Sequence, residues 1–176
     1  MITTTLSWIA EKVNGKLLND AADVEVSAVS TDTRTLEDGA VYLALKGPNF
    51  NGHDFISTAE KAGASAVIAS EDVATSLPVI MVEDTKEALG LLGAAVKAYV
   101  APKTIAITGS SGKTTVKEMC AAILERRGNV LATNGNFNND IGVPLTLLRL
   151  EPQHEYAVME LGANHIGEIA YTTNLV

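Results

Sequence analysis

Cysteine is nearly absent from this 176-residue chain: Cys120 stands alone, so no internal disulfide can form. No Cys/His cluster shows the spacing of a zinc site either. Basic residues are also few, with 13 Lys and Arg against 21 Asp and Glu and a formal charge of −8. That balance argues against a general nucleic-acid or anionic-membrane binder, which needs a basic face. A small phosphorylated ligand remains compatible, because backbone N–H groups and one Lys make a local anion site. Long apolar runs are missing. The longest, Ala88 to Val96, is ended by Lys97, far short of the roughly 20 residues that span a bilayer. The first residues lack a basic segment followed by an apolar one, so no signal peptide is expected. The expectation is a soluble, cytoplasmic protein without membrane insertion or nucleic-acid partner. Aromatics are only 5%, but 47% of residues are hydrophobic, which excludes disorder. The length suits one domain or two small ones.

Residues 5–14 read as a helix closed by Gly15, with Leu6, Ile9, Ala10 and Val13 on one face. Short β-branched runs at Val24–Ser30, Val41–Lys46, Ala66–Ala69 and Val79–Val82 read as strands. Phe55–Ala62 is a helix between them, ended by Gly63. Asp84 can cap a long helix over residues 84–100, and Pro102 stops it. Residues 104–108 then form a continuous apolar strand, as expected when helices cover both faces. A helix from Lys113 to Arg127 follows, its Val116, Met119, Cys120, Ile123 and Leu124 at helical spacing. Val130–Thr133 and Tyr156–Glu160 are further strands. Strand–helix–strand units of this length predict a parallel sheet. The fold class is therefore α/β, with a small α/β segment leading into a parallel-sheet segment.

Gly109, Ser110, Ser111, Gly112, Lys113, Thr114 and Thr115 fall between a buried strand and an amphipathic helix. A phosphate-binding loop needs that context. Glycines let N–H groups turn inward, and the helix N-terminus adds its positive dipole end. Lys113 would reach the β/γ-phosphates, and Thr114 would offer its hydroxyl to Mg²⁺. Position 107 is Ile, so the loop is a shortened form of the Walker pattern. The alternative is a Gly/Ser turn that merely joins strand to helix. Glu160 ends a strand, where ligands gather in open α/β sheets; a carboxylate there can hold a nucleotide's metal or simply be solvated. His165 can contact a ligand or bond within its own loop. Asn134–Ile141 holds four Asn and one Asp, which serve turn chemistry or ligand amides equally well. The loops Ser30–Gly39 and Gly47–Asp54 read by themselves as surface turns. His53 reads as a loop histidine, and Tyr42 as a packing residue.

Taken in order, S-T-D-T-R from Ser30, G-x-x-F-x-G-H-D-F from Gly47, T-G-S-S-G-K-T from Thr108, G-N-x-N-N-D-I-G-V-P from Gly135 and M-E-L-G-A-N-H-x-G-E-I from Met159 resemble the Mur ligases of bacterial peptidoglycan synthesis. The likeness covers the whole chain and is strongest to the branch that adds D-alanyl-D-alanine to UDP-N-acetylmuramoyl-tripeptide. It implies a UDP-sugar domain at about residues 1–82 and the opening half of a P-loop ATPase domain over 83–176. The dipeptide-binding third domain, and the family's later histidine and carbamylated lysine, would lie beyond Val176, so this fragment is expected to be inactive. The resemblance implies ATP and Mg²⁺, with Lys113 and Glu160 catalytic and Thr114 with Glu160 holding the metal. It implies UDP contacts at Ser30, Thr33, Arg34, Asn49 and Phe50. Asn138, Asn139, Asn164 and His165 would stand near the phosphates and the muramoyl-peptide. Two alternatives stay open: a sibling amino-acid-adding ligase, or a P-loop module without ligase activity. UDP-sugar recognition by residues 1–82 separates a ligase from the latter.

Overall fold

The computed structural model describes residues 1–18, 21–47 and 49–176. Pro48, inside the Gly47–Asp54 loop, lies outside the described residues. The chain divides into two compact units: Met1 with Thr3–Leu91, and Ile2 with Leu92–Val176.

The first unit opens with β1 (Thr4–Thr5) and α1 (Leu6–Lys12). The Thr5 hydroxyl accepts a hydrogen bond from the Trp8 N–H at 3.2 Å and so caps α1, satisfying one of the helix's free N–H groups. Leu6, Ile9 and Ala10, one apolar stripe, are buried. The short strands β2 (Lys16–Leu17), β3 (Glu25–Val26), β4 (Val29–Ser30) and β5 (Val41–Leu43) follow. A small hairpin, β6 (Lys46–Gly47) with β7 (Phe50–Asn51), leads through the 3-10 turn Gly52–Phe55 into α2 (Ile56–Lys61). Then come β8 (Ala66–Ala69), β9 (Val79–Met81) and α3 (Thr85–Val100), whose residues from Leu92 onward belong to the second unit. The five-stranded sheet runs β2-β9-β8-β5-β4, parallel except for β2 against β9. Its middle strand β8 is buried at every residue. The core formed against α2 unites Tyr42, Ala44, Ile56, Ala59, Ala64, Val67, Ala69 and Val79. The helix α3 is capped as expected: Asp84 Oδ1 accepts from the N–H groups of Lys86 and Glu87, at 2.7 and 3.1 Å.

The second unit contains β10 (Lys103–Ile107), α4 (Lys113–Leu124), β11 (Val130–Ala132), α5 (Gly142–Leu147), β12 (Tyr156–Glu160) and α6 (Glu168–Leu175). Its sheet is wholly parallel in the order β10-β12-β11. Ala157, Val158 and Met159 of the middle strand are fully buried, and so are Leu147 and Leu150 of the same unit.

Three expectations change here. The run Val24–Ser30 is two strands, β3 pairing antiparallel with β1 and β4 parallel with β5; one stretch cannot follow both partners without a break. Among the described residues of these 176, β10 pairs with β12 alone, and Ile105 is 39% exposed where the sequence predicts a strand covered on both faces. Finally, the apolar face expected on α4 points to solvent at Val116, Met119 and Ile123, while Lys117 and Ala121 are buried. The helix lies against β12 and β11, and that seat takes the neighbouring stripe.

Candidate functional site

Gly112 holds φ at +75° and Gly109 at +151°, conformations that L side chains rarely adopt. Nothing lies within 4 Å of where a Gly112 side chain would start, so backbone conformation and not crowding demands glycine there. Gly112 is the N-cap of α4, without a side-chain cap. The first N–H groups of α4 thus open onto the loop, as anion binding requires. Lys113 reaches back across the loop, its Nζ donating to the Gly109 carbonyl at 2.8 Å. Ser110, Ser111 and Thr115 are exposed on the same turn.

The C-terminal end of β12 closes the other side. Glu160 is only 3% exposed, a costly place for a carboxylate unless its oxygens are bonded. Both are: the Thr114 hydroxyl donates to Oε2 at 3.0 Å, and Asn138 Nδ2 donates to Oε1 at 2.9 Å. Asn138 is itself held, because its carbonyl accepts from the Gly162 N–H at 2.7 Å. A Cβ on Gly162 would come 3.0 Å from the Asn138 amide, so any larger residue there would press on that side chain. Beneath them the Glu160 N–H donates to the Thr133 hydroxyl at 2.9 Å. Lys113, Thr114, Glu160 and Asn138 are thereby gathered at one strand end. Asn139 serves the backbone, its Oδ1 accepting from the Gly142 N–H at 2.8 Å. Asn164 and His165 are exposed on the loop after β12, their side chains outside this cluster.

The first unit carries a separate hollow of about 480 Å³, lined by Thr31, Asp32, Thr33, Arg34, Tyr42, Phe50 and Phe55. The Ser30 hydroxyl accepts from the Asp32 N–H, and Asp32 in turn takes the Arg34 guanidinium on both oxygens, at 2.6 Å from Nη2 to Oδ2. Those hydrogen bonds, with one from the Arg34 N–H, hold the Asp32 carboxyl at about 2. Arg34 keeps 85% of its side chain exposed, so its charge still faces outward. Phe50 and Phe55 stack with centroids 5.3 Å apart. Tyr42 is buried as expected and donates its hydroxyl proton to the Gly52 carbonyl; burial and, secondarily, Asp32 raise its pKa. Of the expected residues, Thr33, Arg34 and Phe50 line the hollow, while Ser30 supports it through Asp32. Asn49 is exposed and is not among the lining residues. Sequence reasoning missed Asp32 and Phe55, although both stand inside quoted motifs; an acid two residues before an Arg was the available signal.

A family model for the Mur ligase family catalytic domain matches residues 25–127, and one for the Mur ligase middle domain matches residues 107–176. The chain is similar to the UDP-N-acetylmuramoyl-tripeptide–D-alanyl-D-alanine ligase of Escherichia coli K12. Identity is 53% over 175 residues, covering 99% of this chain and 38% of that protein. The like-named ligase of Bacillus subtilis 168 is 41% identical, covering 99% and 39%. A crystal structure of MurF from Acinetobacter baumannii matches with a TM-score of 0.94 at 43% identity, covering 99% of this chain and 39% of that one. The MurF ligase of Thermotoga maritima, in complex with ADP, matches with a TM-score of 0.78 at 32% identity, over 86% and 35%. The chain spans about two fifths of the length of the curated relatives it matches. Residues 25–127 are more than half of the 176, and on that match the chain belongs to the Mur ligase family.

Proposed function

We propose that the protein to which these residues belong is an ATP-dependent ligase that joins D-alanyl-D-alanine to UDP-N-acetylmuramoyl-tripeptide in peptidoglycan precursor synthesis, in the cytoplasm where ATP is found. The observation that carries the reading is the Thr114–Glu160 pair beside the Gly109–Thr115 loop, at a parallel strand end of a chain so similar to ligases of that name. The tripeptide carboxylate attacks the γ-phosphorus of ATP, forming an acyl phosphate and releasing ADP. The amine of the dipeptide then attacks the acyl carbon, expelling phosphate and losing a proton.

In this reading the loop N–H groups from Gly109 to Thr115 cradle the phosphates, and Lys113 offsets the charge of the transferred group. Thr114 and Glu160 would hold Mg²⁺. Their donor set fits it: two hard oxygens 3.0 Å apart, close to the roughly 2.9 Å between neighbouring ligands of an octahedral ion bound at 2.0–2.1 Å. Bound there, the ion would supply charge neutralisation to the phosphates. Asn138 keeps the Glu160 carboxylate turned toward Thr114. Asn139, Asn164 and His165 belong to the phosphate and muramoyl-peptide side. The first unit takes the UDP moiety, with Phe50 and Phe55 under the base and Thr33 and Arg34 toward the diphosphate; Ser30 and Asn49 complete its rim.

The test is Lys113→Ala in the full-length protein. Ligation should fall more than tenfold, which is about 1.4 kcal/mol or more of transition-state stabilisation, while binding of the UDP-muramoyl-peptide by calorimetry stays within twofold. Turnover above a tenth of wild type would overturn the phosphate-loop assignment.

A further inference from the structure

One carboxyl and one amino side chain are buried among the described residues: Glu160 at 3% exposure and Lys117 at 2%. The proposed reaction uses the first and leaves the second without a task. Lys117 sits on the sheet-facing side of α4, where helical spacing would place an aliphatic residue. Burying an ammonium there costs several kcal/mol unless partners offset it, and a methionine of similar length would fill the space without that cost. Its partners are specific. Nζ donates to the Thr133 carbonyl at 2.7 Å and pairs with the Glu118 carboxylate at 2.7 Å.

Thr133, 1% exposed, is the hinge of the arrangement. Its N–H donates to the Val158 carbonyl, and its hydroxyl accepts from the Glu160 N–H at 2.9 Å. The hydrogen bonds therefore close a ring. It leaves α4 at Thr114, passes through the Glu160 carboxylate and main chain, crosses Thr133, and returns to α4 at Lys117. Residues 114 and 117 are one turn apart and share a helix face. No shift of α4 along the strand ends leaves both contacts intact.

We propose that Lys117 is a positioning residue of the nucleotide site. By holding the Thr133 carbonyl it sets the Thr133 hydroxyl beneath Glu160, and so presents the carboxylate to Thr114 in the geometry a metal needs. This rests on reading Thr114 and Glu160 as the magnesium-holding pair.

The test uses full-length Lys117→Met, with Mg²⁺ titrated against ADP binding by calorimetry. Outer partners of metal ligands are worth about 10–100-fold in metal affinity. Lys117→Met should therefore raise the Mg²⁺ requirement at least about tenfold. Amide exchange at Glu160 should also quicken in the metal-free, nucleotide-free protein. Thr133→Val should show the same shift, Thr133→Ser should restore wild-type behaviour, and the double variant Lys117→Met/Thr133→Val should be no worse than either single one. A Lys117→Met requirement within twofold of wild type, with Glu160 exchange unchanged, would overturn the proposal. If Lys117→Met does not fold, Lys117→Gln is titrated under the same limits. Glu160→Gln separates the two readings: if it leaves the Mg²⁺ requirement unchanged, the metal pair is wrong; if it raises it while Lys117→Met does not, Lys117 alone is wrong.

Discussion

A single histidine shows how residue chemistry enters the first unit. His53 Nε2 accepts the Ser70 N–H at 2.9 Å, so the ring proton sits on Nδ1, which faces Asn51 Oδ1 at 2.7 Å. A second proton would turn that acceptor into a donor. Burial, the largest influence, lowers the His53 pKa; Glu71 and Asp54 pull it up and Lys46 pushes it down. The unfolded chain, with an ordinary value near 6.5, therefore binds a proton more readily than the folded one. Stability is fully present above that value and declines as pH falls through it toward the folded pKa. The urea midpoint should be lower at pH 5.5 than at pH 7.5. His53→Gln, which keeps an acceptor for Ser70 but cannot titrate, should shrink the difference. An unchanged difference would mean that other groups set it. From the sequence His53 reads as a loop residue; it lies in the 3-10 turn Gly52–Phe55, and its partner Ser70 is 17 residues away, beyond any local pattern.

At the scale of elements, α4 is where periodicity and packing part. Its sequence carries two adjacent stripes, and counting apolar residues selects the one containing Val116, Met119 and Ile123. Within these 176 residues the buried one is the other, through Lys117 and Ala121. Ala121 is 5% exposed and Ile123 64%. Ala121→Leu should overpack that face and cost about 1–3 kcal/mol. Ile123→Lys should change stability by no more than about 0.5 kcal/mol. Urea denaturation of the 176-residue chain checks both, and the reverse ranking would mean that the helix is turned the other way. The capped start of α3 behaves differently: Asp84 and the N–H groups it accepts are neighbours in sequence, so the motif already contains the whole interaction.

For the molecule as a whole, the division into two units predicts two separable ligand affinities. Phe50→Ala removes half of a stacked aromatic pair, and base stacking of this kind is worth about 1–3 kcal/mol. UDP should bind at least about fivefold more weakly, and Arg34→Ala should weaken it further at low salt, where its charge is least screened. Neither change should alter ADP binding by more than twofold. Lys113→Ala should do the opposite, sparing UDP and weakening ADP. Calorimetry on the full-length protein reads all six values. Loss of both affinities in any one variant would refute independent sites.

The sequence alone determined the α/β class, the strand–loop–helix context of Gly109–Thr115, the Asp84 cap, and the order of motifs that identifies the family. Each of these depends on residues close together in the chain, where backbone preference and hydrophobic spacing act. Tertiary structure decided which polar groups meet. Glu160 finds Thr114 46 residues away and Asn138 22 away, while Lys117 finds Thr133 16 away. Periodicity can show that a face is apolar or that a carboxylate ends a strand. It cannot name the neighbour, because strand order and helix seating set the partners, and those emerge only when the sheet has formed.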